Sequence, residues 1–193
     1  DLHSFPTRRS SDLVQLAQGK PAMDFGTVMA YLGGQFVGSL IGAFLCWVAY
    51  KQHFDEEPDQ GAKLGVFCTA PAIRNPLFNL LTEIIGTFVL VFVVIASGLY
   101  TTNTKGDAVN LGWLGAFGVA LLIVVIGTGL GGPTGYAINP TRDLCPRIMH
   151  AILPIKGKGD SDWSYSWVPV VGPMIGGLLG GLLAAPLLVF PLQ

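Results

Sequence analysis

The chain has 193 residues, 51% of them hydrophobic and only 12% charged, with a mean hydropathy of +0.56 and a net charge of −1. A soluble domain carries about twice that charged fraction, and a near-neutral balance gives no ground for a nucleic-acid partner. The cysteines (Cys46, Cys68, Cys145) and histidines (His3, His53, His150) are scattered, with neither a disulfide framework nor metal-ligand spacing, so no metal or cofactor is expected.

Residues 1–13, DLHSFPTRRSSDL, are polar, have no helical or strand period and lack the apolar core of a signal peptide. They resemble a translated sequencing adapter and are read as a non-native segment. Residues 14–18 read as the tail of a helix closed by Gly19-Lys20-Pro21. A first span is expected over 24–50, with no charge from Phe25 to Tyr50. A polar loop follows over 51–76. The second span, 77–100, holds one charge, Glu83. A short loop, 101–110, leads to an uncharged third span over 111–130, and a fourth, also uncharged, is expected over 166–190. Each run reaches the roughly 20 residues that cross a hydrocarbon core. The basic residues fall on both sides, so the positive-inside rule gives no orientation.

Glycines recur at every fourth position in the first span (Gly34, Gly38, Gly42) and in the fourth (Gly172, Gly176, Gly180). This spacing lines small residues along one helix face, where a second helix can approach closely. The two stretches align as an internal repeat. An odd number of crossings separates them, so the copies are expected to be inverted, as in membrane proteins that bind near the midplane.

The segment between the third and fourth spans reads Gly127-Thr-Gly-Leu-Gly-Gly-Pro-Thr-Gly-Tyr136-Ala-Ile-Asn139-Pro140-Thr141-Arg142-Asp143-Leu-Cys145-Pro-Arg147. Its glycines are expected to break the helix. Asn139 is a favoured N-cap and Pro140 suits the first helical position, so a new helix is expected over 140–151. That helix is too short to span and must be buried or line a wet cavity. Its N-terminus would offer partial positive charge and free N–H groups there. Such a cavity repels cations and accepts neutral hydroxyl solutes through the Asn139 amide and the carbonyls of 135–138. An arginine at membrane depth is functional by default; for Arg142 the choice lies between a pore-lining donor and a pair with Asp143 or a headgroup phosphate. Arg142 and Cys145 are three apart and share a helix face, so a mercurial at Cys145 is expected to block flux if that face lines the pore.

The run from Gly135 to Arg147 resembles the second signature loop of the major intrinsic protein family, the aquaporins and glycerol facilitators. The resemblance implies an all-α membrane protein, a right-handed aquaporin-like bundle with inverted repeats and a re-entrant half-helix over about 139–151. On that map 14–50 is the tail of repeat one, 51–76 an extracellular loop and 77–193 repeat two. The first two spans are missing, and a truncated gene model is the expectation. The resemblance also assigns roles. Asn139, Arg142, Tyr136 and Gly127 would form the pore and its filter. Pro140, Thr141, Asp143 and Glu83 would support the half-helix and its loop, with Glu83 accepting hydrogen bonds from loop backbone. Gly127 where water channels place histidine, the Asp143/Arg147 pair, Pro169 and the stretch 67–71 resemble the glycerol branch. Thr141 departs from the usual alanine.

The expected function is passive conduction of glycerol, other small neutral solutes and water across the cell membrane, by a homotetramer in the lipid bilayer. The alternatives are a strict water channel of the same family and an inactive fragment. A secondary transporter would need coupling carboxylates beyond Glu83. An enzyme would need a catalytic constellation at depth, which no span offers.

Overall fold

The computed structural model describes residues 25–100 and 113–188. The expectations for 1–24, for the 101–110 loop and for the end of the last span lie outside the described residues. Within them the chain is helical: α1 (Phe25–Ala49), α2 (Lys51–Glu56), α3 (Gln60–Phe67), α4 (Pro76–Tyr100), α5 (Trp113–Thr134), α6 (Pro140–Ile152) and α7 (Val168–Leu188). Helices α1, α4 and α5 are long and apolar enough to cross a membrane. Helix α7 has 21 residues, about 30 Å at 1.5 Å per residue.

The main interface joins α4 and α7, and glycine makes it. A Cβ on Gly172 would lie 2.5 Å from the Glu83 Cβ, one on Gly180 would lie 3.0 Å from the Phe88 carbonyl oxygen, and one on Gly176 would overlap the Ile84 carbonyl. The two backbones therefore touch, as small-residue spacing predicts. The matching stripe on α1 behaves differently. Gly34, Gly38 and Gly42 have nothing within 4 Å of their Cβ positions. Instead α1 rests on α6, where the Ser39 hydroxyl donates to the Thr141 carbonyl at 3.0 Å. Leu32, Val37, Ile41 and Leu45 of α1, and Leu114, Phe117, Val124 and Val125 of α5, are exposed. A soluble monomer rarely exposes so continuous an apolar surface; a bilayer solvates it.

Two expectations are corrected. The connection over 51–76 holds α2 and α3 rather than only polar loop. The Asp59 carboxylate caps α3 by accepting from the Gly61 N–H at 2.8 Å. Phe54 and Phe67 stack with centroids 5.5 Å apart, and Phe67 meets the His150 ring at 5.7 Å. Helices of six and eight residues leave too little periodicity to detect. The second correction concerns α5, which runs through Gly131 and Gly132 to Thr134. The Gly135 N–H still donates to the Gly131 carbonyl at 2.7 Å, and the chain departs only at Gly135, with φ +75°. Glycine permits a break but does not force one.

Asn75 and Asn79 start α4. The Asn79 side-chain oxygen accepts from the Asn75 N–H at 2.9 Å, and its NH2 donates to the Ile73 and Pro133 carbonyls at 3.2 and 3.0 Å. One asparagine thus ties the start of α4 to the end of α5.

Candidate functional site: the half-helix and its loop

Helix α6 begins as its sequence dictates. Asn139 is extended (φ −159°, ψ 120°), its side chain accepts from the Thr141 N–H, and Pro140 occupies the first turn. Thirteen residues make α6 about 20 Å long, too short to cross a bilayer. At its far end the Lys158 ammonium donates to the carbonyls of His150, Ala151 and Leu153 at 2.6–2.7 Å. These are the orphan acceptors a helix C-terminus leaves.

The loop entering α6 is irregular. Tyr136 and Ile138 adopt φ values of +42° and +44°, where a side chain costs on the order of 1–3 kcal/mol. Glu83, 1% exposed, holds that geometry. Its two carboxylate oxygens accept from the Ala137 N–H at 3.0 Å and the Ile138 N–H at 2.7 Å. The single charge of its span therefore has two backbone partners. The turn leaves the carbonyls of 135–138 without a donor among the described residues.

Asp143 and Arg147 form a buried pair, each 0% exposed, with Nε to Oδ1 at 2.8 Å. Asp143 Oδ2 also accepts from the Thr69 N–H at 2.7 Å, the Thr69 hydroxyl at 2.6 Å and Arg147 Nη2 at 2.9 Å. Arg147 donates further to the carbonyls of Ser161 (2.7 Å), Asp162 (2.9 Å) and Thr69 (3.1 Å). A buried pair repays its desolvation only when such partners saturate it. This one locks α6 to the 67–70 and 161–162 turns. A pair between Arg142 and Asp143 does not form, because Arg147, one turn on, takes the carboxylate.

Arg142 is left exposed, its guanidinium carbon 5.9 Å from the Tyr136 ring centroid. The same ring lies against Gly127, where a Cβ would stand 3.2 Å from it. The structure thus brings Gly127, Tyr136 and Arg142 into contiguity, with Asn139 beside Arg142 on an open groove that Gln35 and Ser39 of α1 also line. Thr141 lines the same groove, while Asp143 and Glu83 are buried and Pro140 is half-buried in the first turn of α6. The expectation for Cys145 is corrected. It is 0% exposed, while Arg142 of the same helix is open, so the thiol does not line the groove. Thr69 and Lys158 are the supporting residues that sequence reasoning missed. Each acts across a turn whose path no local pattern reveals.

Spanning apolar helices around a half-length helix that starts at Asn-Pro define a multi-pass membrane protein with a re-entrant segment. The chain matches the family described as Major intrinsic protein over residues 19–184. It is 48% identical over 153 residues to the glycerol uptake facilitator protein of Streptococcus pneumoniae, covering 79% of this chain and 62% of that protein. It is 53% identical over 145 residues to the probable glycerol uptake facilitator protein of Thermotoga maritima, covering 75% and 58%. The X-ray structure of the aquaglyceroporin from Plasmodium falciparum superposes with a TM-score of 0.70 at 23% identity, over 94% of this chain and 74% of that one. The chain belongs to the major intrinsic protein family. It spans about three-fifths of the length of the first two relatives, 62% and 58%.

Proposed function

We propose that this protein is a passive membrane channel for glycerol and other small uncharged polar solutes, with water, and that it works as a homotetramer. The observation that carries the reading is the Arg142 guanidinium, which lies over the Tyr136 ring and lines one groove together with Asn139. Glycerol has one hydroxylated edge and one carbon-backbone edge. The aromatic ring supplies an apolar wall for the second. The guanidinium, the Asn139 NH2 and the free carbonyls of 135–138 supply donors and acceptors for the first.

Gly127 leaves the ring room, since a larger residue there would meet it. Charge selection follows from position. Arg142 and the α6 N-terminus both present positive potential, which disfavours cations and protons while leaving neutral solutes unaffected. No covalent chemistry is required of any residue. The names of the facilitators from Streptococcus pneumoniae and Thermotoga maritima support the same solute class.

The test is shrink–reswell light scattering on proteoliposomes under water and glycerol gradients. The chain is measured alone and completed with the first repeat of a related facilitator. Glycerol-driven reswelling in the completed form, above empty vesicles, is the expected result. Water flux without glycerol would move the assignment to a strict water channel. No flux from a folded, inserted protein would overturn the channel reading.

A further inference from the structure

We propose that Thr141 is a positioning residue whose hydroxyl fixes the Asn139 carboxamide as a pure hydrogen-bond donor to the groove. Asn139 Oδ1 accepts twice from the same residue, from the Thr141 N–H at 3.0 Å and from the Thr141 hydroxyl at 2.7 Å. A carboxamide oxygen has two acceptor positions, and both are filled. The Nδ2 group has no protein partner among the described residues, and Asn139 is exposed on the groove. A solute passing there can accept from Nδ2 but finds no free position on Oδ1.

The backbone bond alone, which any residue at 141 supplies, leaves one acceptor position open. A solute hydroxyl or a water could then donate to Oδ1, and the carboxamide could rotate to meet it. The hydroxyl closes that alternative. Thr141 is itself anchored, since its carbonyl accepts from the Ser39 hydroxyl of α1 at 3.0 Å. The restraint on Asn139 therefore extends from α6 to the neighbouring span. One typical net hydrogen bond sets a population ratio of roughly fivefold, which is the size of effect expected on Asn139 orientation.

The consequence for selectivity rests on the channel reading, but the positioning itself does not, and two measurements separate them. The first is the 13Cγ chemical shift of Asn139 in the micelle-solubilised chain, labelled at asparagine. The shift reports hydrogen bonds accepted by Oδ1. Thr141→Val keeps shape and backbone and removes the hydroxyl; Thr141→Ser restores it. An upfield move in Thr141→Val and a wild-type value in Thr141→Ser are expected. An unchanged shift in Thr141→Val, or the same move in both variants, overturns the proposal.

The second is the glycerol-to-water permeability ratio of the completed channel, expected to fall roughly fivefold in Thr141→Val and to recover in Thr141→Ser. An unchanged ratio in a wild type that conducts glycerol overturns the selectivity role. A wild type that conducts neither solute overturns the channel reading, and the chemical shift then decides the role of Thr141 by itself.

Discussion

Glutamine at position 83 keeps the size of glutamate and exchanges one acceptor oxygen for a donor NH2. The Glu83 Cβ lies where a Cβ on Gly172 would meet it at 2.5 Å, so the backbone there is fixed against α7 and a same-sized side chain disturbs no packing. The two bonds to the Ala137 and Ile138 N–H groups, 3.0 and 2.7 Å, then cannot both survive. One N–H would face the new donor. An unsatisfied buried group costs about 1–3 kcal/mol. The positive φ values of Tyr136 and Ile138 add strain on the order of 1–3 kcal/mol each, which the carboxylate helps to hold. The native loop geometry should therefore lose about 2 kcal/mol or more relative to a relaxed one, a factor of about 30 in population. Helix content by circular dichroism should stay within error, because α4 and α7 are untouched. Solute flux through the completed channel should fall at least tenfold. A Glu83→Gln protein with wild-type flux and wild-type melting temperature would refute the claim that this carboxylate shapes the loop.

The α4–α7 contact gives a second test. Gly176→Ala, whose Cβ overlaps the Ile84 carbonyl, should lower thermal stability by about 1–3 kcal/mol, whereas Gly181→Ala on the same helix has nothing within 4 Å and should be neutral or slightly stabilising. Equal melting temperatures for the two variants would contradict the packing. The thiols give a third: Cys145 is 0% exposed, and burial pushes the Cys68 thiol up to about 12, so the native protein should resist mercurials and maleimides at both positions near neutral pH. Rapid labelling of Cys145, read by mass spectrometry, would return it to the groove. The fourth concerns acid. Burial opposes ionisation of Asp162, but hydrogen bonds from Arg74 and Ser164 outweigh it and hold its carboxyl below the ordinary 3.8. A depressed folded pKa stabilises fully above the unfolded value and is lost as pH falls through the folded one. The melting-temperature gap between wild type and Asp162→Asn should thus be flat above about pH 5 and close at lower pH. It should be small, because Arg74 is about half exposed and solvent screens the pair.

Much of the fold was legible because it rests on composition and local signals. Uncharged runs announce α1, α5 and α7, an apolar run with the single charge Glu83 announces α4, and Asn139-Pro140 announces α6 through capping chemistry that needs no tertiary context. The roles of Glu83 and of Asp143 with Arg147 were legible only through family resemblance. A lone carboxylate in an apolar run demands a partner, but spacing does not say which backbone groups supply it. Three features escaped. Helices α2 and α3 are too short to carry a period. The end of α5 depends on where a glycine takes positive φ, and only one of the candidate glycines between 127 and 135 does so. The facing of Cys145 escaped because residues three apart share a face only loosely, and α1 covers part of that face.

The arrangement of charges follows from what each must hold. The 135–139 loop has no regular hydrogen bonding of its own and two residues in strained conformations. It is restrained from α4 by Glu83, from α6 by the Asn139 cap, and behind α6 by the Asp143–Arg147–Thr69 network. Glu83 and the Asp143–Arg147–Thr69 network are buried with their hydrogen bonds supplied by protein, and the exposed Asn139 spends its Oδ1 on the cap, so only its NH2 is left for a solute. Among the described residues the Asn139 NH2 and the Arg142 guanidinium on the groove, and the carbonyls of 135–138, have no hydrogen-bond partner. A neutral polar solute must exchange its water shell for such groups, and the exchange is rapid and reversible only if they are neither already satisfied nor free to collapse on one another. Rigid support behind and unpaired groups in front are thus two halves of one requirement. It explains why the buried charges of the site are saturated while the exposed Arg142 guanidinium lies over the Tyr136 ring.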